Sequence, residues 1–365
     1  MQHKHLLTTA LLCAGIYSCT SNSTNSNTVI PPVDTTHRVD TTHQVDTTNH
    51  TVSDSVLFSF AVMGCNRLDK GDVTGSNAST ANLVQLDRTF DDLVQLNRRP
   101  DYLFLVGDLV IGKTSTASVI DAQLQAWRTH YEGSPIATSG IKLVLEPGNH
   151  ETNDGSVDGV GEKEWLKIMA PYIAGSNGPG IGGADNCVTD QSKLTYSFDY
   201  KGTHFVMVNT DATGQTTSVP AKWIAKDLAA AHAAGAQHIF VLAHQPAFSY
   251  NGSTGDAIGA ATRDQLWAAM QASHAEAMFS AHNHIYRRLR PSAGKSWMVI
   301  AGNGGSSLAN DVGADRNFGF TIVTVMKNGK VLEKAYGREY GTNYNDPSPA
   351  SQYPTTIRDT ADISW

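Results

Sequence analysis

Cysteines are few in this sequence and basic residues are not in excess, so neither feature assigns it to a protein class. Only four of its 365 residues are cysteines, and basic residues are not in excess, since 27 Lys and Arg face 34 Asp and Glu for a formal net charge of -7. A chain without a basic surplus or a Lys/Arg cluster is not expected to bind nucleic acid or an anionic membrane surface. A small phosphate-bearing substrate is not excluded, because a bound metal ion supplies positive charge of its own.

The N-terminal apolar run, from Leu6 to Tyr17, is too short to cross a bilayer as a mature helix. It follows a basic start and precedes Ser18-Cys19, so we predict a removed export signal over residues 1–18. The segment resembles a bacterial lipoprotein signal, which implies an exported protein held in the cell envelope through acylated Cys19, in the periplasm or at the cell surface. Tyr17 is bulkier than that pattern usually has, and an ordinary secretory signal is the alternative.

A polar segment of low complexity follows the signal. Residues 19–53 are rich in Ser, Thr and Asn and contain the related units "VDTTHR", "VDTTHQ" and "VDTTNH". Their few apolar residues bury too little surface to offset chain entropy. We therefore predict a flexible tether over residues 19–53, a folded domain over residues 54–340 and a C-terminal tail over residues 341–365, with the membrane contacted only through the N-terminal lipid.

Within the predicted domain, strand-like and helix-like segments alternate. Amphipathic stretches such as "NLVQLDRTFDDLVQL" separate short apolar runs, and two hairpins are predicted to turn at Lys201-Gly202 and Asn328-Gly329. This pattern predicts an α/β fold in which two packed mixed β-sheets are flanked by helices. The buried strands that we predict are Leu57–Met63, Tyr102–Val106, Ile141–Leu145, Ile239–Ala243, Ala277–Phe279 and Trp297–Ala301.

Side chains of metal-ligand type follow several of these strands at the point where each strand ends. Strands that deliver ligands at their first turn hold them rigidly, and the ends of several strands meet at one edge of a sheet. Each residue alone also has an ordinary explanation as turn chemistry or as a satisfied polar group. Together they predict a metal centre formed by Asp108 after "LFLVG", Asn149, His150 and Glu151 in "GNHE", His244 after "FVLA", and His282 and His284 in "HNH".

These motifs resemble those of the calcineurin-like metallophosphoesterase superfamily, and especially its purple acid phosphatase-like branch, over about residues 56–336. The resemblance implies two metal ions bridged by Asp108. One would be held further by Asn149, His244 and His282, and the other by His284 together with the first motif. Carboxylate, amide oxygen and imidazole ligands suit Fe, Zn or Mn.

The resemblance also implies a reaction. A metal-bound hydroxide would attack the phosphorus of a small phosphate ester, with the two metal ions clamping the attacking and leaving oxygens. His150 would lie beside the metal ions and either stabilise the transition state or protonate the leaving group. The alternative for His150 is a structural hydrogen bond to Glu151 or to a backbone carbonyl.

Cys65, in "FAVMGCNR", lies where most of the superfamily has the aspartate of its first motif. Three interpretations are open: a thiolate metal ligand, a disulfide with Cys187, or a buried thiol without a ligand role. The ligand interpretation is favoured because thiolate binds Fe and Zn well, and alkaline phosphatase D type enzymes also have a cysteine in this motif. We expect Cys65→Ala to reduce metal content.

Two further positions depart from the family pattern. Arg67 lies where most of the superfamily has a histidine, and a guanidinium has no lone pair to offer a metal ion. Its planar fork suits phosphate oxygens, so we predict that Arg67 orients the substrate, or else that it only pairs with an acid such as Asp69. Ile111 replaces the tyrosine that binds ferric iron in purple acid phosphatases.

The sequence therefore predicts an exported metal-dependent phosphoesterase. The alternative from a different class is a surface-anchored binding protein that has kept the fold but lost catalysis at an altered first metal site. A metal-independent hydrolase is disfavoured, because the chain contains no Gly-x-Ser-x-Gly nucleophile elbow.

Overall fold

The computed structural model describes residues 55–252, 255–291, 294–309 and 316–365. The predicted export signal and tether lie outside the described residues. The helices are α1 Leu83–Gln95, α2 Ala117–Glu132, α3 Asn149–Thr152, α4 Val160–Ile168, α5 Ala221–Ala233 and α6 Ala260–Ala272. The strands are β1 Val56–Met63, β2 Tyr102–Val106, β3 Lys142–Glu146, β4 Tyr196–Tyr200, β5 Thr203–Val208, β6 Asp211–Ala212, β7 Gln215–Thr216, β8 His238–Ala243, β9 Ala277–Ser280, β10 Tyr286–Leu289, β11 Trp297–Ala301, β12 Phe318–Met326, β13 Val331–Arg338 and β14 Thr356–Asp362.

Two six-stranded mixed sheets form the framework, which confirms the predicted fold class. The strand orders are β14-β13-β12-β1-β2-β3 and β10-β11-β9-β8-β5-β4, and β6 and β7 form a separate ribbon. In the first sheet β1, β2 and β3 run parallel, and in the second β5, β8, β9 and β11 do. The carboxyl ends of these parallel strands carry the residues predicted to bind metal.

An aromatic core fills the space between the two sheets. Phe60 of β1 lies at its centre, with ring centroids 5.2–5.7 Å from those of Phe104, Phe205, Phe240 and Phe279 on β2, β5, β8 and β9. Most of these pairs meet edge to face, which is worth about 0.5–1.5 kcal/mol per pair beyond the burial of area. The packing fixes the two sheets relative to each other and so fixes the spacing of their strand ends.

Helices cover the outer face of each sheet. Apolar residues of α1, α2 and α4 pack on the first sheet, and those of α5 and α6 pack on the second. Helix α1 begins where the Asn82 side chain accepts a hydrogen bond from the backbone N–H of Gln85, as an N-cap should. Both hairpins turn where the sequence predicts, with φ of +48° at Lys201, +76° at Gly202 and +84° at Gly329.

The C-terminal segment is part of the first sheet rather than a tail beyond it. Strand β14 pairs antiparallel with β13, so the sheet continues past residue 340. Sequence reasoning misses this strand because "TIRDTAD" is polar and largely exposed, as an edge strand needs to be in order not to pair with another chain. The Tyr344 hydroxyl also accepts a hydrogen bond from the backbone N–H of Asp69 at 2.8 Å, close to the predicted site.

Across the described part of the chain, no helix combines the length and the apolar character that crossing a membrane requires.

Candidate metal centre

Three of the predicted site residues have a backbone conformation that side chains rarely adopt. Cys65, Asp108 and His282 follow β1, β2 and β9 with φ of +57°, +58° and +62°. Such left-handed residues each cost on the order of 1–3 kcal/mol and are concentrated at functional sites. Hydrogen bonds hold two of the turns together, because the N–H of Cys65 donates to the carbonyl of Gly107 at 2.9 Å. The repeated turn directs the three side chains into one region.

Four side-chain atoms converge there. The Asn149 Oδ1 lies 3.0 Å from His244 Nε2 and 3.2 Å from His282 Nδ1, and these two nitrogens are 3.2 Å apart. Asp108 Oδ1 is 3.2 Å from His244 Nε2. His244 donates its other ring N–H to the carbonyl of Val106 at 2.8 Å, which leaves Nε2 with a free lone pair, as in metal-binding histidines.

This donor set fits a metal ion. With the amide oxygen of Asn149 inward, only acceptor atoms face one another, an arrangement that a cation stabilises. With the amide turned over, its nitrogen donates to Asp108 and both histidines, and its oxygen accepts from Lys113 Nζ at 3.1 Å. The orientation with the oxygen inward suits a site with a bound metal ion, and the turned-over orientation suits a site without one. One carboxylate, one amide oxygen and two imidazoles form a ligand set suited to Zn, Mn or Fe.

The electrostatics of the donor set are dominated by Asp108. Burial opposes its charge, but His244, His150 and Arg67 hold the pKa of Asp108 well below its usual range. Burial also disfavours a charged His244, yet the Asp108 carboxylate outweighs this and raises the pKa of His244 to about 9. Burial and the neighbouring His244 lower the pKa of His282 to about 3. Asp108 therefore keeps the negative charge that favours a bound cation.

Glu151 holds the loops that carry the donors. Its carboxylate accepts hydrogen bonds from the backbone N–H groups of Asp108, Leu109, Val110 and Gly148 at 2.7–3.0 Å. A β-carbon on Gly148 would lie 2.4 Å from Asp108 Oδ1, so only glycine permits this approach of the two loops. Glu151 is therefore a positioning residue behind the metal ligands, a role that the sequence alone did not assign to it.

We expect Glu151→Gln to destabilise the fold by about 2–3 kcal/mol, because the new NH₂ group leaves buried N–H donors unsatisfied. Urea unfolding of the full chain measures this. Glu132→Gln on the surface of α2 is the matched control, for which less than about 1 kcal/mol is expected. Equal unfolding midpoints for the two variants would contradict the role given to Glu151.

Cys65 is close to the donor set and is a free thiol. Its Sγ and ligand atoms of Asp108 and His244 all lie within 4.8 Å of one another, and the N–H of His282 donates to Sγ at 3.1 Å. Both Cys65 and Cys187 are free, so the disulfide alternative is wrong in this structure. Burial, reinforced by the Asp108 carboxylate, raises the pKa of the Cys65 thiol well above its usual value. The ligand role of Cys65 stays a prediction.

The loop at residues 302–307 holds His284. Its Nδ1 donates to the carbonyl of Ser307 at 2.7 Å, which leaves Nε2 available. The same loop holds the end of β1, because the N–H of Ser306 donates to the carbonyl of Cys65 at 2.8 Å. Burial and the charge of Arg67 lower the pKa of His284. In the described part of the chain, His284 does not join the group formed by Cys65, Asp108 and His244.

His150 lies beside the donor set. Its backbone N–H donates to Asp108 Oδ1 at 3.1 Å, and its Nδ1 donates to the carbonyl of Ile111 at 2.5 Å. The free Nε2 is 4.0 Å from Asp108 Oδ2, and the side chain is 12% exposed. Burial lowers the pKa of His150 to about 4. The alternative role for His150, a structural hydrogen bond to a backbone carbonyl, explains the contact of Nδ1 only. The Nε2 atom remains available on the side of the site.

Lys113 is a residue near the donor set that the sequence analysis does not identify. Lys113 follows Gly112 with φ of +45°, and its Nζ comes within 3.1 Å of the Asn149 amide. A Gly-Lys pair after a strand is the only signal for it in the sequence. Tyr286, two residues after His284, donates its hydroxyl to Glu333 at 2.9 Å and to Asp359 at 2.8 Å.

Comparison with known proteins identifies the family. The model of the calcineurin-like phosphoesterase family matches residues 59–286. The chain belongs to this family. It is 25% identical over 242 residues to purple acid phosphatase 21 of Arabidopsis thaliana, an alignment covering 63% of this chain and 49% of that protein. The chain thus spans about half the length of that relative.

The fold of this calcineurin-like phosphoesterase also resembles that of purple acid phosphatase PPD1 from yellow lupin (Lupinus luteus) seeds. The TM-score is 0.55 at 18% identity, and the match covers 83% of this chain and 53% of that one. The comparisons confirm the predicted calcineurin-like phosphoesterase family, and the relatives named here, both purple acid phosphatases, are what the chain is similar to within it. The family implies bound metal ions. The structure brings together Asp108, Asn149, His244 and His282, a donor set that suits a metal ion.

Proposed function

We propose that this phosphoesterase is an exported enzyme that hydrolyses small phosphate esters, monoesters or diesters, in the manner of an acid phosphatase. The observation that carries the proposal is the convergence of Asp108 Oδ1, Asn149 Oδ1, His244 Nε2 and His282 Nδ1 within 3.0–3.2 Å contacts. A metal ion bound there supplies Lewis acidity and lowers the pKa of water. This donor set is the main support for catalysis rather than binding alone.

Residues around the donor set suit an anionic substrate. Arg67 is 16% exposed, and its Nε lies 3.8 Å from Asp108 Oδ2, while Lys113 is exposed and has its Nζ near Asn149. Both side chains place positive charge beside the site, although the chain as a whole is acidic. Fixed cations aimed at phosphoryl oxygens stabilise the charge of a phosphoryl-transfer transition state. His150 offers Nε2 to the substrate, either to bind it or to protonate the leaving group.

A dinuclear centre, which the family resemblance implies, needs a second donor set. Cys65 and His284 would have to complete it beside Asp108, since Ile111 offers no phenolate oxygen. Cys65, Asp108 and His284 are not all within 4.8 Å of one another in the described part of the chain. We infer that Asp108, Asn149, His244 and His282 hold one metal ion, and that the site at the Cys65 motif, which the family resemblance assigns to the other ion, is the weaker of the two.

We also propose that the enzyme acts outside the cytoplasm, anchored in a bacterial envelope through Cys19. The support is the signal-like pattern of residues 1–18 and the polar repeats of residues 19–53, which together would hold the folded domain on a tether. Labelling of Cys19 by a fatty-acid analogue in cells that express the full chain, and its loss in Cys19→Ser, would test this proposal.

The function is tested by assaying the full chain, loaded with Mn²⁺, against a phosphomonoester, a phosphodiester and a carboxylic ester. We expect at least one phosphate ester to be hydrolysed and the carboxylic ester to be spared. His282→Ala should reduce the rate by about 100-fold or more, because it removes a metal ligand. The exposed His232→Ala on α5 is the matched control. Equal rates for the two variants would contradict the proposal.

A further inference from the structure

The carboxylate of Asp108 has two sides, and only one of them faces the metal donors. Its Oδ1 lies 3.2 Å from His244 Nε2 and accepts from the His150 N–H at 3.1 Å. Its Oδ2 faces the Arg67 Nε at 3.8 Å and the His150 Nε2 at 4.0 Å. A carboxylate that bridged two metal ions would present Oδ2 to the second ion. In this structure, that direction leads to a guanidinium group.

Arg67 is fixed in this position by its backbone. Its N–H donates to the carbonyl of Asp108 at 3.1 Å, and the Ser306 hydroxyl donates to the carbonyl of Arg67 at 2.9 Å. Arg67 also forms an isolated antiparallel bridge with Ala81. The backbone of Arg67 is therefore held by the turn after β2, by the loop at residues 302–307 and by the segment before α1. These contacts fix the position from which the side chain extends.

The guanidinium is held as well, and one of its groups has no partner. Nη1 donates to the carbonyl of Leu68 and to Asp69 Oδ1, each at 3.3 Å, so the predicted pairing with Asp69 is present. Nε is buried and makes no hydrogen bond, although it points toward Asp108. A buried N–H without a partner is costly, and an oxygen of a bound phosphate would satisfy it.

The residues that should hold a first metal ion do not fit one. Ile111 is apolar, and His284 is outside the group of ligand atoms around Asp108 in the described part of the chain. The Cys65 sulfur groups with ligand atoms of Asp108 and His244, so it lies close to the donor set that contains His244 and leaves the Oδ2 side of Asp108 without a complete set of its own. A divalent ion beside Asp108 Oδ2 would also meet the permanent positive charge of Arg67. Repulsion between such charges is strong at a few ångströms in a partly buried site.

We propose that the guanidinium of Arg67 takes the place of the first metal ion, so that the centre contains one metal ion and one fixed organic cation on opposite sides of Asp108. Asp108 would then offer Oδ1 to the metal ion and keep Oδ2 toward Arg67. The two cations hold a phosphate between them, with the planar fork of Arg67 donating to two of its oxygens. This inference rests on the proposed function, and it replaces the two-metal centre that the family resemblance implies.

The proposal is tested by counting metal ions on the full chain, stripped of metal and reloaded with Mn²⁺. We expect about one Mn²⁺ per chain by elemental analysis and the six-line electron paramagnetic resonance spectrum of an isolated ion. Two ions per chain with an exchange-coupled spectrum would overturn the inference and leave the proposed function standing. No bound Mn²⁺ would overturn both.

Variants of Arg67 test two effects separately: whether Arg67 keeps a second metal ion out, and whether it binds phosphate. Cys65→Asp combined with Arg67→His removes the cation and adds two donors, so this variant should bind about two Mn²⁺ with a coupled spectrum. Arg128→His on α2 is the control and should stay at one. Arg67→Gln should keep one Mn²⁺ and raise KM for a phosphomonoester by about tenfold or more. A folded double variant that binds one ion, or an unchanged KM in Arg67→Gln, would overturn the inference.

Discussion

Replacing Asp108 with asparagine should nearly abolish both metal binding and hydrolysis. The substitution keeps the shape of the side chain and one oxygen for the His150 N–H, but it removes the negative charge that both His244 and Arg67 face. Metal-assisted stabilisation of the transition state is worth several kcal/mol, and each 1.36 kcal/mol changes a rate tenfold. We therefore expect kcat/KM for a phosphomonoester to fall by about 10³-fold or more.

The measurement combines steady-state kinetics with elemental analysis of the same Asp108→Asn preparation. Asp121→Asn, on the surface of α2, makes the same chemical change away from the site and should retain metal and rate. The account would be wrong about Asp108 if the Asp108→Asn variant kept full metal content and full activity.

Replacing His150 with glutamine should reduce turnover but, unlike the change at Asp108, leave metal binding intact. The His150 ring is not part of the donor set, since its Nδ1 is engaged by the carbonyl of Ile111 and its Nε2 is free toward the site. Positioned acid–base groups contribute about 10²- to 10⁴-fold to rates, so a fall in kcat of that size is expected. His130→Gln on α2 is the matched control.

The dependence on the leaving group tests the role of His150 further. If His150 protonates the leaving group, the loss should be larger for an alkyl phosphate than for a nitrophenyl phosphate, whose leaving group needs no proton. Equal losses would assign His150 to binding of the transition state. An unchanged kcat with both substrates would contradict either role.

Much of the fold is predictable because local and long-range signals agree. The Lys-Gly and Asn-Gly turns join strands of alternating or continuous apolar pattern, and both hairpins form in the structure. Strand β14 was missed because its pairing depends on backbone hydrogen bonds to β13, and its polar side chains carry no hydrophobic period. Its Asp359 forms a salt bridge with Arg288, a contact between residues far apart in the sequence.

The residues of the site also fall into those that the sequence predicts and those that it does not. Asp108, Asn149, His244 and His282 are predictable, because each directly follows a strand of a parallel set whose ends meet. The direction of Arg67 is not predictable from its sequence neighbours. It depends on the hydrogen bond that the distant Ser306 hydroxyl donates to the Arg67 carbonyl and on the bond from the Arg67 N–H to the carbonyl of Asp108. The positions of side chains that depend on contacts between loops, rather than on the ends of strands, cannot be predicted from the sequence.

The most direct test of the central claim measures phosphate release and bound metal on the same samples. The full chain is stripped with a chelator and titrated with Mn²⁺ in the presence of a phosphomonoester or a phosphodiester. The account predicts no release from the metal-free protein and a rate that rises in proportion to metal occupancy. Release that does not change when the metal is removed would contradict it. Full occupancy without release from either ester would also contradict it and would favour the non-catalytic binding protein.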